Sequence, residues 1–400
     1  MRALRFLPLL LIGACAPATT GSDTGADEHL ARARRVLAAV PLVDGHNDLP
    51  WAIREHPQAP KDVAAYDLRT TTPGHTDIPR LRRGMVGAQF WSVYVPFRGL
   101  NEGAAMTQLE QIDIAHQFIV RYPAVFELAL DSDDVMRIFR AGRIASMLGM
   151  EGGHVIENSL GALRAYYDLG ARYMTLTHSA NIDWADSCCA LRTLGGLSEF
   201  GKEVVREMNR LGMLVDISHV SPETMMDALD VTQAPVIFSH SSARAVTEHP
   251  RNVPDDVLRR LPQNGGVVMI TFVPSFINIE NQRWSQLPAE QRRTTPEPRA
   301  TMADVIRHIE HVRDVAGIDN VGIGGDFDGI STVPVGLEDV STYPALFAEL
   351  SRRGWSETDM RKLAGENVLR VWRQAEQVAA RLQRERGPST ATIERLDRRQ

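Results

Sequence analysis

The chain has 400 residues, 44% of them hydrophobic, and this length can form one large α/β barrel as readily as two ordinary domains. Its 44 lysines and arginines stand against 50 acidic residues, for a net charge of −6, which argues against a nucleic-acid partner and favours a small molecule. The three cysteines imply no disulfide framework.

The first residues have the pattern of an export signal. Arg2 and Arg5 precede an apolar run over residues 6–12, and small residues precede Cys15. The stretch IGAC, which ends at Cys15, resembles the lipobox of bacterial lipoproteins, in which the chain is cut before the cysteine and the cysteine is acylated. We therefore predict a lipoprotein signal peptide over residues 1–14, with a plain secretory signal as the alternative.

Residues 15–28 are mostly small and polar, which predicts a flexible tether between a lipidated Cys15 and the folded chain. Stable attachment to a membrane needs more than one acyl chain. We expect an exported lipoprotein of the bacterial cell envelope that is anchored through Cys15, with the periplasmic side of the outer membrane as the favoured place.

From about residue 29, short β-like runs alternate with helical segments. Helical periodicity extends over residues 106–122, 197–212 and 302–317. The β-like runs cover residues 42–46, 87–95, 143–150, 172–177, 213–218, 235–239, 266–272 and 320–325. Eight strands separated by helices, with no obvious linker, favour a closed (β/α)8 TIM-like barrel over an open sheet. We assign residues 29–375 to this domain and residues 376–400 to a charged C-terminal helix and tail.

Two segments depart from the alternation of strands and helices. Residues 273–300 are rich in proline and charge, and we expect a long loop with a short helix that covers a site or meets another subunit. After Trp372, a charged helix runs into residues 387–400, which we expect to form a frayed tail.

Histidine or carboxylate side chains follow six of the predicted strands. They are His46 with Asp48, Glu151, His178, His219, His240 and Asp326. Because the carboxyl ends of barrel strands surround one mouth, we expect these side chains to meet there. Each of them alone has a structural explanation, as a hydrogen-bonded turn or rim residue. Six strand ends that carry the same chemistry favour a functional site instead.

Imidazoles gathered with carboxylates are typical of a divalent-metal site, and nitrogen and oxygen ligands suit zinc, manganese or iron better than calcium. His46 and Asp48 are two residues apart, so an extended backbone places them on one side, where they can share an ion. His219 and His240 are candidates for a second ion. Glu151, with two oxygens, is then the natural bridge. Two ions about 3.5 to 4 Å apart can bind one water and lower its pKa.

Two other arrangements of ligands are disfavoured. Lys61, Lys202 and Lys362 are the only lysines, and none follows a predicted strand, so a carbamylated lysine is not placed to bridge two metals. Cys188 and Cys189 lack further soft ligands at a defined spacing. Adjacent cysteines also make a poor disulfide, because their Cα atoms lie closer than the usual range. We expect a structural role for this pair.

Seven motifs follow one another along the chain: VDGHNDLPW, MEGGH, LTHSANIDWADS, LVDISHVS, APVIFSHSSAR, RNVPDDVL and GIGGDFDG. Together they resemble the membrane dipeptidase, or renal dipeptidase, family of zinc peptidases, peptidase family M19. The resemblance spans about residues 35–375. It implies a (β/α)8 fold of the metal-dependent hydrolase type and an exopeptidase that cleaves dipeptides, often with a D-residue at the second position. Some relatives also open β-lactam or dehydropeptide substrates.

Carried over by position, the resemblance implies that His46 and Asp48 bind one zinc ion, that His219 and His240 bind another, and that Glu151 bridges the two. These are the same five residues that the strand ends suggest.

For the substrate, the resemblance implies three contacts. His178 would meet the reacting carbonyl or its oxyanion, Arg251 the C-terminal carboxylate, and Asp326 the amine, where it would also handle the leaving-group proton; each is chemically suited to its task. Among 41 arginines, Arg251 carries no other signal. Dimers are common in the family, which leaves a homodimer open. The disulfide cysteines of animal members have no counterparts here.

We therefore predict a zinc-dependent dipeptidase that holds two Zn²⁺ per chain and cleaves dipeptides with both ends free. One alternative is a related metal-dependent amidohydrolase that acts on lactams, lactones or N-acyl amino acids, because fold and metals do not determine the substrate. The other is an envelope lipoprotein that binds a small ligand or a metal without catalysis.

Overall fold

The computed structural model of the chain describes residues 23–99 and 102–397. The predicted signal peptide and Cys15 lie outside these residues. Among the helices of the described part, none is long and apolar enough to cross a membrane.

The described residues contain nine parallel strands, and eight of them close into a barrel. The strands are β1 Leu42–Asn47, β2 Val86–Ser92, β3 Phe126–Leu128, β4 Ile144–Glu151, β5 Ala171–Thr175, β6 Leu214–Asp216, β7 Ile237–Ser241, β8 Val267–Ile270 and β9 Val321–Ile323. Around the barrel the order is β1, β2, β4, β5, β6, β7, β8, β9 and back to β1, while β3 pairs with the start of β4. All eight predicted strands and the (β/α)8 fold are confirmed, and β3 is an addition.

Helices cover the outside of the barrel and both of its ends. They are α1 Asp23–Ala39, α2 Leu49–Arg54, α3 Ile78–Arg83, α4 Ala104–Arg121, α5 Ser132–Arg140, α6 Leu160–Asp168, α7 Glu199–Leu211, α8 Pro222–Val231, α9 Asp255–Leu258, α10 Leu261–Asn264, α11 Pro274–Ile277, α12 Ile279–Ser285, α13 Ala289–Thr294, α14 Met302–Ala316, α15 Tyr343–Arg352, α16 Glu357–Arg361, α17 Asn367–Glu385 and α18 Ile393–Leu396. The three predicted helices are found as α4, α7 and α14.

Helix α7 shows how local sequence sets an element's ends. The Ser198 side chain accepts a hydrogen bond from the backbone N–H of Gly201 and caps the first turn. Gly212 ends the helix in the left-handed conformation, at φ 83°, which glycine adopts without a steric penalty. The apolar side chains between them face the barrel.

Strand β4 shows why the site lies at the mouth. All eight of its residues are buried, as expected for a parallel strand covered on both faces. Successive side chains alternate, so Ala145 and Met147, which belong to the cluster inside the barrel, share one side with Glu151. Glu151 is the last residue of the strand and therefore points inward above this apolar interior.

The apolar interior below the site includes a group of aromatic rings. The ring of Phe90 lies 5.1 Å from that of Tyr173 and 5.9 Å from that of Trp372 on α17. We expect Phe90→Ala to lower the free energy of unfolding by about 3–5 kcal/mol, because it removes a fully buried ring. Chemical denaturation measures this, with the exposed Val120→Ala as control. Equal effects of the two substitutions would contradict this packing.

Three segments differ from the sequence expectations. Residues 273–300 hold the three short helices α11, α12 and α13 instead of one. Helix α1 begins at Asp23, inside the predicted tether of residues 15–28. Helix α17 also continues through the predicted boundary at residue 375.

The chain after α17 is docked, so the prediction of a frayed tail is wrong as far as residue 397. The backbone N–H of Ser389 donates to the Glu207 carboxylate on α7 at 3.3 Å. The Asp397 carboxylate accepts from the Ser198 hydroxyl at 2.6 Å and from the Phe200 N–H at 3.0 Å. Sequence composition does not show such side-chain partners on a distant helix.

Candidate metal centre and substrate cleft

The predicted site residues meet at the carboxyl ends of the strands. Their metal-binding atoms form three overlapping groups, each with its atoms within 4.8 Å of one another. The groups are His46 with Glu151 and His240, Glu151 with His178 and His219, and His46 with Asp48 and Asp326. The structure thus brings together all seven side chains that the strand ends suggested.

Glu151 lies between two sets of candidate metal ligands. Its Oε1 is 3.0 Å from Nε2 of His219 and 3.3 Å from Nε2 of His240. Its Oε2 is 3.5 Å from Nε2 of His46, which is itself 3.2 Å from Oδ2 of Asp48. Each carboxylate oxygen therefore faces a different pair of side chains, which is the arrangement that a bridging ligand requires.

The Nε2 atoms of His219 and His240 converge on one position beside Glu151. Their Nε2 atoms are 2.8 Å apart, and both side chains are buried. Burial disfavours the imidazolium form and lowers the pKa of both residues well below the usual histidine value. Neutral imidazoles with converging lone pairs are the form in which histidine binds a metal.

The surroundings of His46 show whether these residues suit a bound cation. Its Nε2 is buried and has no hydrogen-bond partner among the described residues. Burial disfavours the charged imidazole, but the neighbouring Tyr173 together with the Glu151 and Asp48 carboxylates raises the pKa of His46 well above its usual value. The surroundings of this nitrogen thus favour positive charge, which a divalent metal supplies, so the donor set fits metal ions.

Tyr173 orients His46 from inside the barrel. Its hydroxyl lies 2.9 Å from Nδ1 of His46, which leaves Nε2 facing Glu151 and Asp48. A Cβ on Gly149 would lie about 2 Å from the Tyr173 ring, so only glycine allows the ring to cross the barrel here. Groups that hold a ligand's second nitrogen in this way fix its direction and tautomer.

We expect Tyr173→Phe to weaken metal affinity about 10- to 100-fold, because the ring stays and the bond to His46 is lost. Competition with a chelator of known affinity measures this. Tyr166→Phe is the matched control, since its buried hydroxyl donates to the Val155 carbonyl away from the site. Equal metal affinity of Tyr173→Phe and the parent chain would show that Tyr173 does not position His46.

Asp216 supports His240 through the hydroxyl of Ser239. The Ser239 hydroxyl donates to Oδ2 of Asp216 at 2.6 Å and lies 2.8 Å from Nδ1 of His240. Asp216 also accepts from the Thr175 hydroxyl at 2.5 Å and from the Ser239 N–H at 2.9 Å. The carboxylate therefore ties strands β5, β6 and β7 together directly beneath the ligands.

A cleft of about 390 Å³ opens above these residues. His178 and Asp326 lie in its wall, and Tyr94 and Phe276 provide aromatic surface. Burial lowers the pKa of His178, which keeps its imidazole neutral. Burial, with Asp48 and Glu151 nearby, raises the pKa of Asp326 well above its usual range. A volume of this size suits a small molecule.

Arg251 lines the same cleft and is 2% exposed. Its terminal nitrogens donate to the His240 carbonyl at 2.9 Å and to the Ser241 hydroxyl at 3.2 Å, and its Nε has no hydrogen-bond partner among the described residues. The guanidinium also lies over the Phe276 ring, 5.3 Å from its centre. None of these groups is anionic, so among the described residues this buried guanidinium forms no direct ion pair with a carboxylate.

Several residues that support the candidate metal site were not identified from the sequence. Tyr173 and Asp216 lie inside strands, where the sequence pattern predicts core residues. Asp44 is similar: its carboxylate accepts from the backbone N–H groups of His46 and Gly325, both at 3.0 Å. The one available signal is the aspartate that precedes the histidine by two or three residues in VDGH and VDISH.

Comparison with known proteins agrees with this geometry. The membrane dipeptidase family model, peptidase family M19, matches residues 30–386. The probable dipeptidase PvdM from Pseudomonas aeruginosa shares the fold, with a TM-score of 0.78 and 23% identity over 88% of this chain and 100% of that one.

A metallo peptidase from Rhodobacter sphaeroides, solved with a phosphinate mimic of the dipeptide L-Ala-D-Ala, has a TM-score of 0.73 and 27% identity over 84% of this chain and 99% of that one. The same figures apply to dipeptidase AC, a metallo peptidase of family M19. The match to the family model covers the barrel and includes every strand end discussed above. The chain therefore belongs to the membrane dipeptidase family, peptidase family M19, and is a metal-dependent dipeptidase.

Proposed function

We propose that the protein is a binuclear zinc dipeptidase that hydrolyses the peptide bond of dipeptides with free termini. The observation that carries this proposal is the pairing of converging metal ligands with Arg251, a buried guanidinium without an anionic partner, in one small cleft. A free C-terminal carboxylate would provide that direct anionic partner. A cleft of this size also limits the length of peptide that fits.

In this proposal His46 and Asp48 hold one ion, His219 and His240 hold the other, and Glu151 binds both. Imidazole and carboxylate ligands without sulfur suit zinc at a catalytic site. When bound, two zinc ions lower the pKa of a water and polarise the carbonyl. The protein's part is to fix these ligands, through Tyr173 and the Asp216 relay, before the substrate arrives.

His178 is placed to stabilise the charge that develops on the carbonyl oxygen. Its Nε2 lies 3.7 Å from Oε1 of Glu151, beside the ligands, and its ring faces the cleft with Tyr94 5.0 Å away. A neutral imidazole still carries one N–H, which can donate to the oxyanion. His178 therefore acts as a hydrogen-bond donor and needs no proton transfer of its own.

Asp326 and Arg251 recognise the two ends of the substrate. The buried Asp326 carboxylate, once ionised, can hold the substrate ammonium, and it can accept the proton that the attacking water releases and pass it to the leaving amine. Arg251 can pair with the C-terminal carboxylate through its fork of donors. Longer peptides lack an end at one of these positions, which explains the restriction to dipeptides.

The relative from Rhodobacter sphaeroides was solved with a mimic of L-Ala-D-Ala. We propose that this chain likewise accepts a D-residue at the C-terminal position.

A panel of blocked substrates tests the proposed specificity. The panel compares L-Ala-L-Ala and L-Ala-D-Ala with the N-acetyl dipeptide, the dipeptide amide, a tripeptide and N-acetyl-alanine. We expect turnover of both free dipeptides and at least a roughly 30-fold lower kcat/KM for each blocked or longer compound, from the loss of one charged contact. Comparable turnover of N-acetyl-alanine would instead support the broader amidohydrolase alternative.

We further propose that Cys15 is lipidated and anchors the protein to a bacterial envelope membrane, on the periplasmic side of the outer membrane. The support is the IGAC stretch alone. Mass spectrometry of the N-terminal peptide tests it: an acylated cysteine as first residue is expected, and an unmodified Cys15 would contradict it. Sedimentation of the purified protein tests whether it forms the homodimer that the family resemblance leaves open.

A further inference from the structure

Two adjacent cysteines lie beside the site and have no part in the proposed mechanism. The backbone N–H of Cys188 donates to the His219 carbonyl at 2.8 Å, and that of Cys189 donates to the Ser187 hydroxyl at 3.2 Å. The Ser187 hydroxyl in turn donates to the carbonyls of His178 at 2.6 Å and His219 at 3.2 Å. The pair is therefore hydrogen-bonded to the backbone of two residues of the site.

The two thiols face each other. Their Sγ atoms are 2.7 Å apart, Cys189 is exposed, and Cys188 is partly buried. A disulfide between neighbouring residues holds its Cα atoms closer than the usual range. Such a bond is easily reduced again, as is typical of regulatory disulfides. The short distance between the Cα atoms disfavours a structural disulfide, but it is compatible with a reversible disulfide.

The surrounding loop is held firmly enough to transmit a change at the cysteines. The Asp186 carboxylate accepts from the backbone N–H groups of Thr193, Leu194 and Gly195, which closes residues 187–195 into a compact loop. At its other side, His219 has φ 65°, a left-handed conformation that is strained for a residue with a Cβ. A twist of the Cys188–Cys189 peptide would therefore reach the His219 backbone directly.

We propose that Cys188 and Cys189 form a redox modification site, at which a low-molecular-weight disulfide converts the two thiols into a vicinal disulfide and lowers catalytic activity. The inhibition rests on the proposed function of His178 and His219, whereas the modification itself does not. The chemical class of the reactant is a small dialkyl disulfide such as oxidised glutathione.

The reaction balances as two thiol–disulfide exchanges. The exposed Cys189, as its thiolate, attacks one sulfur of the small disulfide and releases the first small thiol after protonation. Cys188, as its thiolate, then attacks Sγ of Cys189 and releases the second. The two protein thiols lose two protons and two electrons, and one small disulfide becomes two small thiols.

The full chain, loaded with metal, is incubated with oxidised glutathione and digested with trypsin without reduction. Cleavage after Arg172 and Arg192 releases the peptide of residues 173–192, which holds both cysteines and excludes Cys15. We expect this peptide to lose the mass of two hydrogens and to take up no N-ethylmaleimide, whereas the untreated peptide takes up two. In the same samples kcat/KM should fall roughly 2- to 30-fold, the range expected when a residue modulates a site that it does not enter.

Dithiothreitol should restore both the mass and the activity. Cys188→Ser and Cys189→Ser variants should keep the parent activity and lose its sensitivity to oxidised glutathione. Two unmodified thiols, a persistent glutathione adduct or a disulfide between two chains would each overturn the proposal. A vicinal disulfide without any change in activity would overturn the regulatory role. Because the mass is read without catalysis, these results differ from a failure of the proposed dipeptidase specificity.

Discussion

Arg251→Ala is expected to lower kcat/KM for a free dipeptide by about 30- to 1,000-fold. The substitution removes a buried guanidinium whose partner would be the substrate carboxylate, and truncating one member of a buried charge pair costs about 2–4 kcal/mol. Arg251 also donates to the His240 carbonyl, so part of any loss could come from the metal site. Steady-state kinetics on two substrates separate the contributions.

The second substrate is the dipeptide amide, which has no carboxylate. If Arg251 binds the carboxylate, the alanine variant should lose most of the preference for the free dipeptide over the amide. Arg259→Ala is the matched control, because that side chain is 65% exposed and pairs with Asp255. An undiminished preference for the free dipeptide in Arg251→Ala would refute the carboxylate role.

Glu151→Gln is expected to lose bound metal and nearly all activity. The amide keeps the shape of the side chain but removes the negative charge that faces His219 and His240 on one oxygen and His46 on the other. Burial opposes ionisation of Glu151, yet the neighbouring His46 and the hydrogen bonds from His219 and His240 hold its pKa well below the usual value, so the parent residue is a carboxylate. The metal affinity of Glu151→Gln should fall by more than the roughly 100-fold that is typical when a residue that hydrogen-bonds to a metal ligand is removed.

Metal analysis and activity measured on the same preparations test this. The control is Glu290→Gln on α13, an exposed residue. Circular dichroism should show that both variants retain the barrel. A Glu151→Gln chain that keeps its full complement of metal would contradict the bridging role.

The barrel could be predicted from the sequence because parallel strands buried on both faces appear as short, nearly continuous apolar runs. Strand β4 is an example, since all of its residues are buried. Strand β3 has only three residues and pairs outside the closed barrel, so it is too short to form a pattern. The docked C-terminal segment was missed for a different reason: its hydrogen bonds with α7 come from single side chains, such as Asp397.

That the candidate metal ligands meet could be predicted, because each histidine or carboxylate lies in the last residues of a strand or within three residues after it, and the fold gathers strand ends. Arg251 could not, because it lies ten residues beyond the end of β7 and has no periodic or local signal. Tyr173 and Asp216 could not either. Their polar groups act inside the barrel, where only the three-dimensional arrangement reveals that they hold His46 and His240.

The central claim is that these strand ends hold two zinc ions. The most direct measurement is the ratio of metal to protein, element by element, on purified full-length protein after zinc is supplied and the excess removed. The account predicts close to two zinc per chain, falling in Glu151→Gln. A parent chain that retains no metal under these conditions would contradict it.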